Sequence, residues 1–215
     1  YLNKIIHFNK MTPYLLFGIF LFNIYNNVAR KVLNTFHVFE TPQLTEKILE
    51  NVIVSGTHSY LCIYYFYLYL FYNDIYFYNN AVTISTAYYI YDVIRMINNY
   101  NYTLYENTYL LHHVISFGII YYNIAYYSKE LYILAEFSNI FYFPVNYSKK
   151  IKINLQVEGI FQLLQFVSYI ICRVGLISYY YYLSFFMDNY YVIIFGTPLT
   201  LMGYIWSYQL YLQIK

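Results

Sequence analysis

The chain has 215 residues, of which 60% are hydrophobic and 25% aromatic but only 10% charged. A soluble domain carries about 25% charged residues, so the composition argues against a soluble globule, and equally against a disordered chain or a disulfide scaffold. A net charge of +2 is too small and too dispersed for a polyanion-binding surface, so a nucleic-acid partner is not expected.

What remains is a multi-pass membrane protein. The mean hydropathy of +0.39 is modest because the chain is rich in Tyr and Asn; the 35 tyrosines are read mostly as coding bias. Seven apolar runs follow one another, roughly 12–28, 52–72, 80–97, 107–126, 130–145, 157–186 and 190–212. A spanning helix needs about 20 mostly apolar residues, so the expected fold is all-α with about seven transmembrane helices. The first run has no small-residue cleavage site after it and reads as a span rather than a signal peptide. The loop from Ala29 to Asn51 contains "TPQLTEKILE", whose Thr-Pro opening predicts a short amphipathic helix on the membrane surface. The fifth run stops at Pro144 and is expected to be tilted, broken or re-entrant. The sixth is long enough to tilt strongly or to end in an interfacial turn around Tyr179 to Tyr182. Cys62 and Cys172 both fall in apolar stretches without metal-type or redox-type spacing, and are expected to pack as buried hydrophobes. No metal site is expected.

Charge sets the orientation. One side of the membrane holds Lys4, Lys10 and Lys129; the other holds Arg30, Lys31, Lys47, Arg95, Lys149, Lys150, Lys152 and Lys215. The positive side is cytosolic, which puts the C-terminus inside and the sequons at Asn101 and Asn146 in the cytosol.

Ionisable residues within spans are costly and mark candidate sites. They are His58, Asp92, His112, His113, Glu136 and Arg173. On a rise of ~1.5 Å per residue, His58, Asp92 and the His pair lie within about 10 Å of the cytosolic helix ends, and Glu136 roughly 13 Å in. Arg173 lies in the outer half. A structural reading stands beside the functional one for several of them. His58 has the alternative of an interhelical hydrogen bond, Asp92 that of an i,i+3 ion pair with Arg95, and Arg173 that of a snorkelling or paired cation. Glu136 needs a partner from another helix or a proton.

Around these residues the sequence resembles the TLC-domain (TRAM, LAG1 and CLN8) family. "YLLHHVISFGIIYY" and "LAEFSNIFYF" resemble its His-His and Glu-x-Ser signature. "VSGTHSY" resembles its Ser-Thr-x-His segment, with Gly56 where the family usually has Thr. "YYIYDVIRM", "CRVG" and "MGYIWSYQLY" follow in the family's order. The resemblance implies a six-helix barrel-like TLC domain over 29–215, with residues 1–28 as an accessory N-terminal transmembrane helix. It further implies His112, His113, Asp92 and Glu136 as catalytic candidates, and His58, Ser116, Ser138 and Arg173 as lipid contacts. The segment after the His pair lacks the His-Asp and second Asp of ceramide synthases, so the sequence resembles the small TLC-domain-containing branch more closely. The function implied is the handling of membrane lipids and an influence on membrane lipid composition, with membrane lipids as partners and no cofactor. The alternative is an acyl-CoA-dependent sphingoid-base N-acyltransferase, with acyl-CoA as cosubstrate. The family's usual setting is the endoplasmic reticulum, with the plasma membrane as a second location for the small branch.

Overall fold

The computed structural model describes residues 2–36, 38–39, 41–98, 104–122, 127–152, 154–187, 194 and 196–214. The described residues are helical apart from short links, with no strand among them. The expected all-α class is found. Among them one helix, Leu155–Phe185, is both long and apolar enough to cross a membrane. The tyrosines and asparagines of the others make them less apolar.

Helix α1 (Leu2–Thr35) runs on past its expected end at Val28. Helix α2 (Pro42–Ile48) is the short helix predicted from the Thr-Pro opening. Thr41 is its N-cap, with Oγ1 accepting the Leu44 N–H at 3.2 Å, and Pro42 lies in its first turn, where no N–H is needed. It does not stand alone, because a π-helical segment (Leu49–Val54) joins it to α3 (Ser55–Tyr72). Asn73, at φ 52°, stops α3 in the left-handed conformation that Asn tolerates. Helix α4 (Ile75–Asn98) follows, then α5 (Leu104–Tyr122). The fifth apolar run is broken, one of the three expected outcomes, into α6 (Ser128–Ser138) and α7 (Tyr142–Ile151). Pro144 falls in the first turn of α7, where its missing N–H costs nothing. The sixth run is a single rod of α8 (Leu155–Tyr169), a π-helical segment (Ile170–Ile177) and α9 (Ser178–Phe185). Tyr179 to Tyr182 therefore continue a helix rather than forming the interfacial turn that was one expectation. Helix α10 (Thr197–Ile214) ends the described chain.

The chain forms two compact units, Tyr1–Val114 and Ile115–Lys215. In the first, α4 packs against both α3 and α1. The face that α3 buries is small or polar: Ser55, Gly56, His58, Ser59 and Cys62, with Phe66 at its end. Its exposed face carries Tyr60, Leu61, Tyr64, Tyr67, Leu70 and Phe71. This reverses the arrangement that water imposes on a surface helix. Helix α1 meets α4 in the same manner. A Cβ on Gly18 would stand 2.7 Å from that of Ala87; one turn on, Phe22 packs on Tyr88 and Tyr91, and Asn26 donates to the Tyr91 hydroxyl at 2.7 Å. Close approach at small residues with interhelical hydrogen bonds is how helices associate where apolar burial supplies no driving force.

The second unit repeats the pattern. In α8 Gln165 is buried while Leu163 and Leu164 are exposed. Its π-helical continuation packs on α6 and α10. Cys62 is buried as expected, but Cys172 is only partly so. It lies between the exposed Ile171 and the inward Arg173, on the flank of the rod.

Candidate functional site

Helix α4 presents one face at the spacing Ser85, Tyr88, Tyr89 and Asp92, and all four are buried. Asp92, 2% exposed, is held from its own helix. Arg95 directs Nε and Nη2 onto the same carboxylate oxygen, Oδ1, at 2.9 and 2.8 Å. The i,i+3 ion pair foreseen from sequence is thus formed, and it uses only half of the carboxylate. Oδ2 stands 3.4 Å from His113 Nε2. That approach exceeds the about 2.7–3.2 Å of a formed N–H···O bond, and neither Oδ2 nor either ring nitrogen of His113 has a hydrogen-bond partner.

The His113 ring is fixed by aromatic neighbours instead. Tyr109 meets it edge-on at 4.5 Å from its own helix, one turn back, and Tyr89 meets it at 4.9 Å from α4. Edge-to-face contacts of this kind orient a ring without consuming its polar atoms. Neighbours on a helix diverge by about 100°, and His113 is the ring set against the carboxylate. His112 is half-buried beside it, with ring centroids 5.6 Å apart.

His58 is buried on α3 with its ring stacked on Tyr88 at 4.1 Å and 10°. Its Nε2 and the Ser85 hydroxyl are hydrogen-bonded at 2.7 Å, and Cys62 Sγ lies 3.1 Å from the same hydroxyl. The interhelical hydrogen bond weighed for His58 is therefore present, linking α3 to α4. Tyr88 also bonds Ser55 through its hydroxyl. Tyr88 and Tyr89 touch both His58 and His113, so the structure gathers these two histidines around one tyrosine pair, with Asp92 and His112 beside His113.

Glu136, Ser138, Arg173 and Ser116, the other sequence candidates, belong to the second unit, and all are buried. Arg173 donates Nε to Ser138 Oγ at 2.8 Å and approaches Ala135 O and Asn139 Oδ1 through Nη2. Its guanidinium lies over the rings of Tyr169 and Trp206, at 5.0 and 5.4 Å. At the C-terminal end of α6 a cation complements the negative end of the helix dipole, and the carbonyl it meets, Ala135 O, also accepts the Ser138 hydroxyl at 2.6 Å. The second π-helical segment carries Arg173, and the first immediately precedes the turn of His58.

Sequence reasoning missed Ser85, Tyr88, Tyr89 and Tyr109. The helical spacing 85, 88/89, 92 was available to find the first three, but 35 tyrosines dilute any single one. Among the described residues no group of three His, Cys, Asp or Glu side chains is placed to hold a metal ion. Compared with protein-family models, with curated proteins and with solved structures, the chain matches none.

Proposed function

We propose that the chain is a multi-pass membrane protein of TLC type that binds or handles lipids and influences membrane lipid composition. The observation that carries this is the reversed sidedness of its helices: His58, Ser85, Asp92 and His113 lie inside, while Leu61, Tyr64, Leu70 and Phe71 face outward. Such a helix surface suits lipid, and a buried ionisable cluster in that setting marks a substrate path. In this reading the seven apolar runs are the spans, α1 is the accessory helix, the endoplasmic reticulum is the setting and the C-terminus faces the cytosol.

The acyltransferase reading is kept for one feature. An imidazole with a carboxylate beside it can act as a base, and His113 stands in that relation to Asp92. Expression in cells lacking ceramide synthase, followed by carbonate extraction of membranes and lipid mass spectrometry, separates the readings. Altered phospholipid composition without ceramide supports lipid handling. Restored ceramide decides for the acyltransferase. Release of the protein by carbonate overturns both.

A further inference from the structure

The half-used carboxylate at the centre of the first unit carries a chemical specification. Asp92 Oδ1 receives both Arg95 nitrogens, whereas Oδ2 and both nitrogens of His113 are buried and lack hydrogen-bond partners. Buried polar atoms in native proteins are almost always satisfied; Nδ1 and Nε2 diverge across the imidazole ring, so the atoms that one group can complete together are Oδ2 and Nε2, 3.4 Å apart. Oδ2 accepts only. A neutral imidazole offers one N–H and one lone pair. The matching group therefore donates to the carboxylate and accepts from, or donates to, the ring.

We propose that the Asp92–His113 pair receives the hydroxyl of an uncharged lipid alcohol. The proposal rests on the lipid-handling reading and names the ligand class for that site. A hydroxyl gives its proton to Oδ2 and takes the imidazole N–H on its oxygen, bridging the 3.4 Å separation. A phosphate brings acceptor oxygens and negative charge against Oδ2, which repels it. An ammonium group can donate to Oδ2 and to the ring's lone pair, but it brings a second cation to a carboxylate already paired with Arg95. With the imidazole neutral, the Asp92–Arg95 pair balances, and a neutral ligand adds no charge to it. Tyr109 and His112, which pack on the His113 ring, are partly exposed.

The test is native mass spectrometry of the purified full chain in detergent. The probes are dioleoylglycerol, its O-methyl ether, dioleoylphosphatidic acid and a long-chain primary amine. Dioleoylglycerol should be retained about tenfold more tightly than its ether and than phosphatidic acid, as expected for a hydrogen bond to a charged group. His113→Gln and Asp92→Asn should remove that margin. Because the wild-type ranking alone decides the matter, a variant that fails to fold leaves the test intact. Equal retention of alcohol and ether, or preference for the phosphate or the amine, overturns the hydroxyl assignment while sparing lipid handling. Retention of none of the four by a folded protein overturns both.

Discussion

Gly18 and Ala87 approach so closely that a side chain on the glycine would stand inside van der Waals contact, 2.7 Å from the alanine methyl. The position tolerates only hydrogen while α1 keeps its present distance from α4. Gly18→Val should therefore lower thermal stability in detergent by about 1–3 kcal/mol, the usual cost of forcing extra carbons into a packed contact. Gly159→Val, where a Cβ meets nothing within 4 Å, is the control and should leave the melting temperature nearly unchanged. Equal losses at both sites would show that α1 does not dock through Gly18.

The Asp92–Arg95 pair predicts a non-additive cycle. Arg95→Ala strips a buried carboxylate of its cation and should cost about 3–5 kcal/mol. Asp92→Ala combined with Arg95→Ala should cost less than the sum of the single changes, because residues in direct contact couple. Chemical denaturation of the four proteins measures this; additive losses would mean that the ion pair contributes nothing.

His113→Ala should abolish the effect on cellular lipids while the protein level changes little. His112→Ala should do so less completely, since His113 is the ring set against Asp92. Lipid mass spectrometry alongside immunoblotting reads both quantities. A full effect from His112→Ala with none from His113→Ala would move the site to the half-buried ring.

Arg173→Ala should destabilise the second unit by about 1–3 kcal/mol through the polar atoms it leaves unsatisfied, and Arg173→Lys by less. Lysine keeps the charge but not the planar fork that meets Ser138 and overlies Tyr169 and Trp206. Thermal unfolding gives the order; an Arg173→Ala protein as stable as wild type would show the clamp to be idle.

Topology has its own test. With the C-terminus in the cytosol, Asn146 in α7 is cytosolic and should carry no glycan. Asn101, the other sequon, lies outside the described residues. A glycosidase-sensitive mass shift that disappears in Asn146→Gln would reverse the orientation.

The helices were legible from composition and apolar runs, and the cap at Thr41 and the break before Pro144 were legible from local chemistry. The Asp92–Arg95 pair follows from spacing along one helix, so sequence could supply it. Which histidine Asp92 meets does not follow from spacing, because the contact joins α4 to α5 and depends on rotation about each axis. Glu136 was grouped with the histidines by depth and by the family resemblance, and it belongs to the second unit. Ser85 and the tyrosine pair were hidden by abundance. The π-helical segments left no sequence mark, since i→i+5 pairing is a compromise imposed by tertiary packing.

Those two segments have a consequence for how the chain tolerates length changes. A π turn holds more residues than the 3.6 of an α turn, so each segment is slack wound into an otherwise regular rod. Loss of one residue between Leu49 and Val54 can be taken up by tightening to α geometry, leaving the rest of the rod in phase. The same loss within α3 has no slack to draw on, and it turns everything beyond it by about 100°. The segments thus act as length buffers beside His58 and around Arg173. They make those two stretches the parts of their rods where evolution could remove a residue without turning polar side chains outward.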